Sequence, residues 1–228
     1  MRCLFFTRNV LLQHYSFTEV AAFGSDQKKN NKVFPYLCTL IKQYMKKLTA
    51  TQEKARKKKL AKILDTLQNG SAPEVLEGLK KLKEHGDATA IPVMVDLFLN
   101  HPEEEVSQEV KKVFLGLNDG DAVAPLLHAV SQNIGTQNKA FLLSAIWESG
   151  LKAGSYVTPL TDLSTRAEET ILIEILTIAD TIESDLEEEE VTKNLKKIRA
   201  AVDQDPEADT RNKLLLSYAE ILTDKLIA

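Results

Sequence analysis

The sequence predicts an all-α chain built from repeated helix pairs. Three observations carry that prediction. Prolines recur at Pro92, Pro125 and Pro159, 33 and 34 residues apart. Each sits in similar text: GDATAIPVMVDLF, GDAVAPLLHAV and GSYVTPLTDL. Apolar residues on either side fall at helical spacing. A fixed period of this size is the sequence sign of a helical repeat array.

The composition fits that class. Of 228 residues, 43% are hydrophobic and 27% charged, which is enough apolar material for a real core. Nine glycines and seven prolines leave room for long helices. No apolar run reaches the ~20 residues needed to span a bilayer. Both cysteines, Cys3 and Cys38, lie outside the repeats, so no disulfide scaffold holds the core and a reducing, cytoplasmic setting is expected. Net charge is −4 but unevenly spread. Residues 1–62 carry 14 Lys/Arg against three acids (+11), and the rest carries 15 against 30 (−15).

Residues 1–45 read as an atypical N-terminal extension, disordered or loosely docked. They hold five of eight Phe, three of five Tyr and both Cys. Met45 followed by KKLTATQEKARKKKLAK reads like a soluble start, so residues 1–44 are expected to stand upstream of the working fold. Arg8 and Asn9 interrupt the early apolar run, against a secretory signal.

Residues 46–70 form a basic N-terminal helix. Its second half has the stripe Leu48, Leu60, Ile63, Leu64 and Leu67, and Asn69-Gly70 ends it. The array then spans 71–204. Ser71 and Glu74 make a capping box. Val75, Leu76, Leu79 and Leu82 stripe the first helix, and Gly86 stops it. Asp87 caps the next helix, with Pro92 in its first turn, where a missing N–H costs least. Glu103, Glu104 and Glu105 suit the following N-terminus. The second unit runs through Val106, Val110, Val113 and Phe114, turns at 118–120, and places Asp121 four residues before Pro125. The third starts near Thr136, carries Phe141, Leu142, Ala145, Ile146 and Trp147, breaks between Gly150 and Gly154, and puts Ser155 before Pro159. Thr165 with Glu168, and Ser184 with Glu187, read as further capping boxes around a fourth, proline-free unit. Asp205-Pro206 opens a C-terminal capping helix, 205–228, with a polar outer face as terminal repeats require.

AIPVMVDLF and APLLHAV, each after a Gly-Asp turn, resemble HEAT repeats over about residues 71–204. The resemblance implies a right-handed α-solenoid of antiparallel helix pairs, about four repeats plus flanking helices, working as an interaction scaffold. The units are shorter than the ~40–47 residues of long HEAT repeats and lack the arginine frequent in the family's second helix. Residues 124–129, APLLHA, also resemble the ankyrin T-P-L-H-x-A, but His128 falls one place late.

No catalytic, cofactor or metal residue is expected. His14, His85, His101 and His128 lack metal-ligand spacing, and there is no phosphate loop or nucleophile elbow. Glu187–Glu190 reads as a solvated helix start. Trp147 beside Glu148 resembles the aromatic and acidic pair of a HEAT-like DNA glycosylase, but a body at −15 repels phosphate, and Trp147 is assigned to the core. The basic tract 54–62 lacks interleaved aromatics for base stacking. The expected function is a non-enzymatic scaffold whose acidic surface binds a protein with a basic patch. The alternatives are a HEAT-like enzyme or accessory subunit, of nucleic-acid-repair or bilin-lyase type, and a nucleic-acid-associated protein using 46–62.

Overall fold

A computed structural model describes residues 33–183 and 186–226, with side chains from residue 51 onward. Of the loose extension expected over 1–45, residues 1–32 lie outside the described residues. Among the described residues, ten α-helices account for the fold. They are α1 (Val33–Asn69), α2 (Ala72–His85), α3 (Ile91–Asn100), α4 (Glu104–Phe114), α5 (Val123–Val130), α6 (Thr136–Glu148), α7 (Val157–Ser164), α8 (Glu169–Asp180), α9 (Glu188–Gln204) and α10 (Asp209–Asp224). Among the described residues there is no β-strand; one isolated parallel bridge joins Leu186 and Leu226.

The first helix begins at Val33, ahead of the start expected at 46. Val33, Leu37, Leu40, Ile41 and Met45 do fall at helical spacing, hidden among Phe34, Tyr36 and Tyr44. Pro35 is tolerated because it lies in the opening turn, where N–H groups have no intrahelical partner. Internal contacts divide the chain at Ala55/Arg56. From Arg56 the chain is one compact unit.

Within that unit the helices pack in a repeating pattern. Neighbours in sequence touch: α3 on α4, α5 on α6, α9 on α10. Helices two apart also touch: α2 on α4, α3 on α5, α6 on α8, α7 on α9, α8 on α10. Between α4 and α6 the link is aromatic. Phe98, Phe114 and Phe141 cluster with ring centroids 5.1–6.3 Å apart, and the Ser149 hydroxyl donates to the Phe114 carbonyl at 2.9 Å. Buried side chains run without interruption from Leu60 on α1 to Leu222 on α10.

The prolines hold matching places. Pro92 is the second residue of α3, and Pro125 and Pro159 are each the third of their helices. All three follow a short 3₁₀ turn, at 88–90, 120–122 and 154–156.

Several caps differ from expectation. The Ser71–Glu74 pair forms, the carboxylate accepting from the Ser71 N–H at 2.8 Å and hydroxyl at 2.6 Å. In the second unit the capping acid is Asp119, which accepts from the Asp121 N–H at 3.1 Å; Asp121 itself lies inside the 3₁₀ turn. Gly120 is part of that turn, while α4 ends at Phe114 with Leu115 and Gly116 turning the chain. Thr165 and Glu168 make no box: the Thr165 hydroxyl donates back to Asp162 O, and Glu168 is itself the N-cap of α8. Ser184 lies outside the described residues. The final helix begins at Asp209, three residues past Pro206, because residues 206–208 form a turn.

Candidate functional site

The residues weighed for chemistry from sequence scatter. His85 ends α2. His101 follows α3, and its Nδ1 accepts from the Glu103 N–H at 3.2 Å, a local turn contact. No group of three His, Cys, Asp or Glu side chains able to hold a metal ion occurs among the described residues. Trp147 is half-buried against the core, and its indole N–H donates to Glu174 Oε2 on α8 at 2.8 Å. That bond fastens α6 to α8. Glu148 is exposed beside it. Glu187–Glu189 are exposed at the start of α9, and Glu190 accepts from the Thr158 hydroxyl at 2.9 Å. Lys54, Lys58, Lys59 and Lys62 are exposed on α1, while Arg56 pairs with Asp87 at 3.0 Å.

Among the described residues, one cleft gathers polar groups over an apolar floor. A cleft of about 740 Å³ opens between α5 and α7. The turn 131–135 and the starts of α6 and α8 close its ends. Its floor is apolar because side chains of α5, α7, α8 and the adjoining turns meet there. Leu127, Ala167 and Ile171 are buried, and Ile134 and Leu163 half-buried. Its polar lining includes His128, Lys139, Tyr156, Asp162, Arg166 and Glu168.

The charges in the cleft are not evenly matched. Asp162 is ion-paired with Lys197 from α9. Glu168 Oε2 accepts from the Thr136 hydroxyl at 3.0 Å. Asp162 thus has a cationic partner, whereas Glu168 has only a neutral hydroxyl. The side chains of Lys139, Arg166, His128 and Tyr156 form no hydrogen bond or ion pair among the described residues. Four groups able to donate thus line one cleft with no hydrogen-bond partner of their own.

Behind this cleft, α7 is held by a buried polar group from α10. The Tyr218 hydroxyl lies 3.2 Å from Thr161 Oγ1 and 3.4 Å from Val157 O. Burial pushes its phenol well above the usual tyrosine range; the Thr161 hydrogen bond opposes this, and the negative charges of Glu190 and Asp162 add to it. Arg211, also on α10, donates to Thr165 O at 2.6 Å and Ala167 O at 3.2 Å. These bonds satisfy carbonyls at the α7–α8 turn that no helix supplies with donors.

Sequence reading did not find this cleft. Lys139 and Arg166 are two of only three cations between residues 121 and 175, and that scarcity was the available signal. Their convergence depends on two units meeting in space. No family model matches the chain, and no curated protein matches it significantly.

Proposed function

We propose that the chain is a non-enzymatic, cytoplasmic protein-interaction scaffold: a right-handed solenoid of antiparallel helix pairs of the HEAT type, with an acidic surface that takes a protein partner carrying a basic patch. The observation that supports this most is the recurrent packing of helices two places apart: α2 on α4, α3 on α5, α6 on α8, α7 on α9 and α8 on α10. An isolated pair cannot hide its apolar face; stacking hides it and leaves an extended surface free for recognition. From residue 63 on that surface carries −15, which favours a basic partner through long-range attraction. No helix among the described residues is long and apolar enough to cross a membrane.

The test is capture of partners by the full chain over a salt series. The proposal expects one protein to be recovered reproducibly, with a basic surface, and to be lost as ionic strength rises and the Debye length shrinks below ~10 Å. Recovery of no reproducible protein, even at low salt, would sink it. Recovery of nucleic acid through Lys57, Lys58 and Lys59 would favour the alternative reading of the basic helix.

A further inference from the structure

We infer that the cleft between α5 and α7 docks a short protein segment in which an acidic side chain stands beside apolar ones. This inference rests on the scaffold reading and names the chemistry of one of its contacts.

The floor sets the first requirement. Leu127, Ile171 and Leu163 offer apolar surface that is stabilised when another apolar group covers it. The rim sets the second. Lys139 and Arg166 carry charge with no carboxylate partner, and His128 and Tyr156 add further groups able to donate. Arg166 presents a planar fork of N–H groups that matches a carboxylate in bidentate fashion. Of the local acids, Asp162 is held by Lys197, and Glu168 accepts from the Thr136 hydroxyl and makes no ion pair with Arg166 or Lys139. A ligand rich in acceptors completes this set; a basic one leaves the cations unanswered.

The surroundings narrow the ligand further. A purely acidic segment is repelled by a body at −15, so apolar side chains must supply part of the attraction. The cleft's volume falls within the ~300–1,000 Å³ of small-ligand sites. Its rim residues His128 and Arg166 are exposed, however, so it lies open to solvent along one side. An open trough between helices suits a chain passing over it better than an enclosed metabolite. The partner's basic patch would meet the acidic surface elsewhere, and its acidic-apolar segment would seat here.

The test selects a random-peptide library on the full chain, with subtraction against the double variant Lys139→Gln, Arg166→Gln. Neither side chain is bonded within the described residues, so the variant should fold; an unchanged melting curve checks this. We expect enriched peptides with Asp or Glu next to Leu, Ile or Phe. Their affinity should fall about tenfold for each cation removed, the usual size of a lost charge-assisted hydrogen bond. Backbone amide shifts in α5 and α7 should accompany binding. Selection of peptides without an acidic residue, failure to select any that separates wild type from variant, or shifts mapping elsewhere would overturn the inference. A natural partner that the variant retains in full would also overturn it while leaving the scaffold reading intact; absence of any natural partner would remove the scaffold reading itself.

Discussion

Among the described residues, Gly150 is the one whose backbone requires glycine by conformation. Its φ is +67°, and the N–H groups of Gly150 and Leu151 cap the end of α6 by donating to Trp147 O and Ile146 O, each at 3.0 Å. A Cβ there meets no atom within 4 Å, so the cost of substitution is conformational. Gly150→Ala should destabilise by about 1–2 kcal/mol, read as a lower urea midpoint with an unchanged slope. Gly86 makes a useful contrast. Its φ is ordinary, but a Cβ would come within 2.6 Å of the Leu82 carbonyl. The sequence signalled a stop at both places; only coordinates separate a conformational need from a steric one. Tyr218→Phe removes a single oxygen and leaves the buried Thr161 hydroxyl short of a partner. A loss of about 1 kcal/mol is expected, whereas no loss would show that this bond does not anchor α10 to α7.

The turns join neighbouring units more closely than the sequence suggested. Asp119 Oδ1 caps its own 3₁₀ turn, and Oδ2 accepts from the Ala88 N–H of the preceding turn at 3.0 Å. Asp87 holds the Thr89 N–H and hydroxyl and pairs with Arg56. Burial pushes the Asp87 carboxyl up, but the Thr89 bonds and Arg56 outweigh it and hold the group below the usual range. Asp119→Ala should cost about 1–2 kcal/mol, as lost caps do, and should speed hydrogen exchange at Ala88. If Ala88 keeps its protection, the acid serves its own turn alone. The helices themselves were readable because burial imposes a 3.6-residue period that apolar residues reveal. Their caps were less readable. Asp121 and Asp119, four and six residues before Pro125, are both placed to reach orphan N–H groups, and the intervening 3₁₀ turn decides which does. Thr165 with Glu168 fits the box pattern in text, yet the chain is still in the turn leaving α7 at Thr165. The helix at 33–45 was missed because aromatics crowd its polar side as well as its apolar stripe.

Ion pairs between units add a pH dependence to the whole molecule. Glu109 of α4 accepts from Lys83 of α2 at 2.9 Å and from Lys112 at 3.1 Å. The Lys83 hydrogen bond first, then that of Lys112, holds its carboxyl below the usual range. Glu74 is lowered by Ser71 in the same sense. Because these folded values lie below the unfolded ones, their contribution is fully present above the unfolded carboxylate range, ~3.9–4.3, and is lost as pH falls through the folded values. The melting temperature should therefore drop on acidification below about pH 4. Glu109→Gln should remove part of that drop, by less than ~1 kcal/mol for so accessible a pair. An identical acid limb in the variant would mean the pair contributes nothing. The cleft belongs to this scale too. Its residues are scattered over 124–171 in the text, and only the fold gathers them around one cleft.

The stacking of units is the claim on which the scaffold and the cleft both stand, and a distance across the stack tests it most directly. Spin labels at Lys80→Cys on α2 and Ser217→Cys on α10, with Cys3 and Cys38 replaced by Ser, report the separation of the first and last helices of the row α2, α4, α6, α8, α10. Both label sites are exposed. Four steps of 8–10 Å between packed helices give roughly 30–40 Å, and one narrow distribution in that range is expected. A distance below about 20 Å, which would place α2 directly against α10, would mean that the helices close into a bundle and that no extended surface exists.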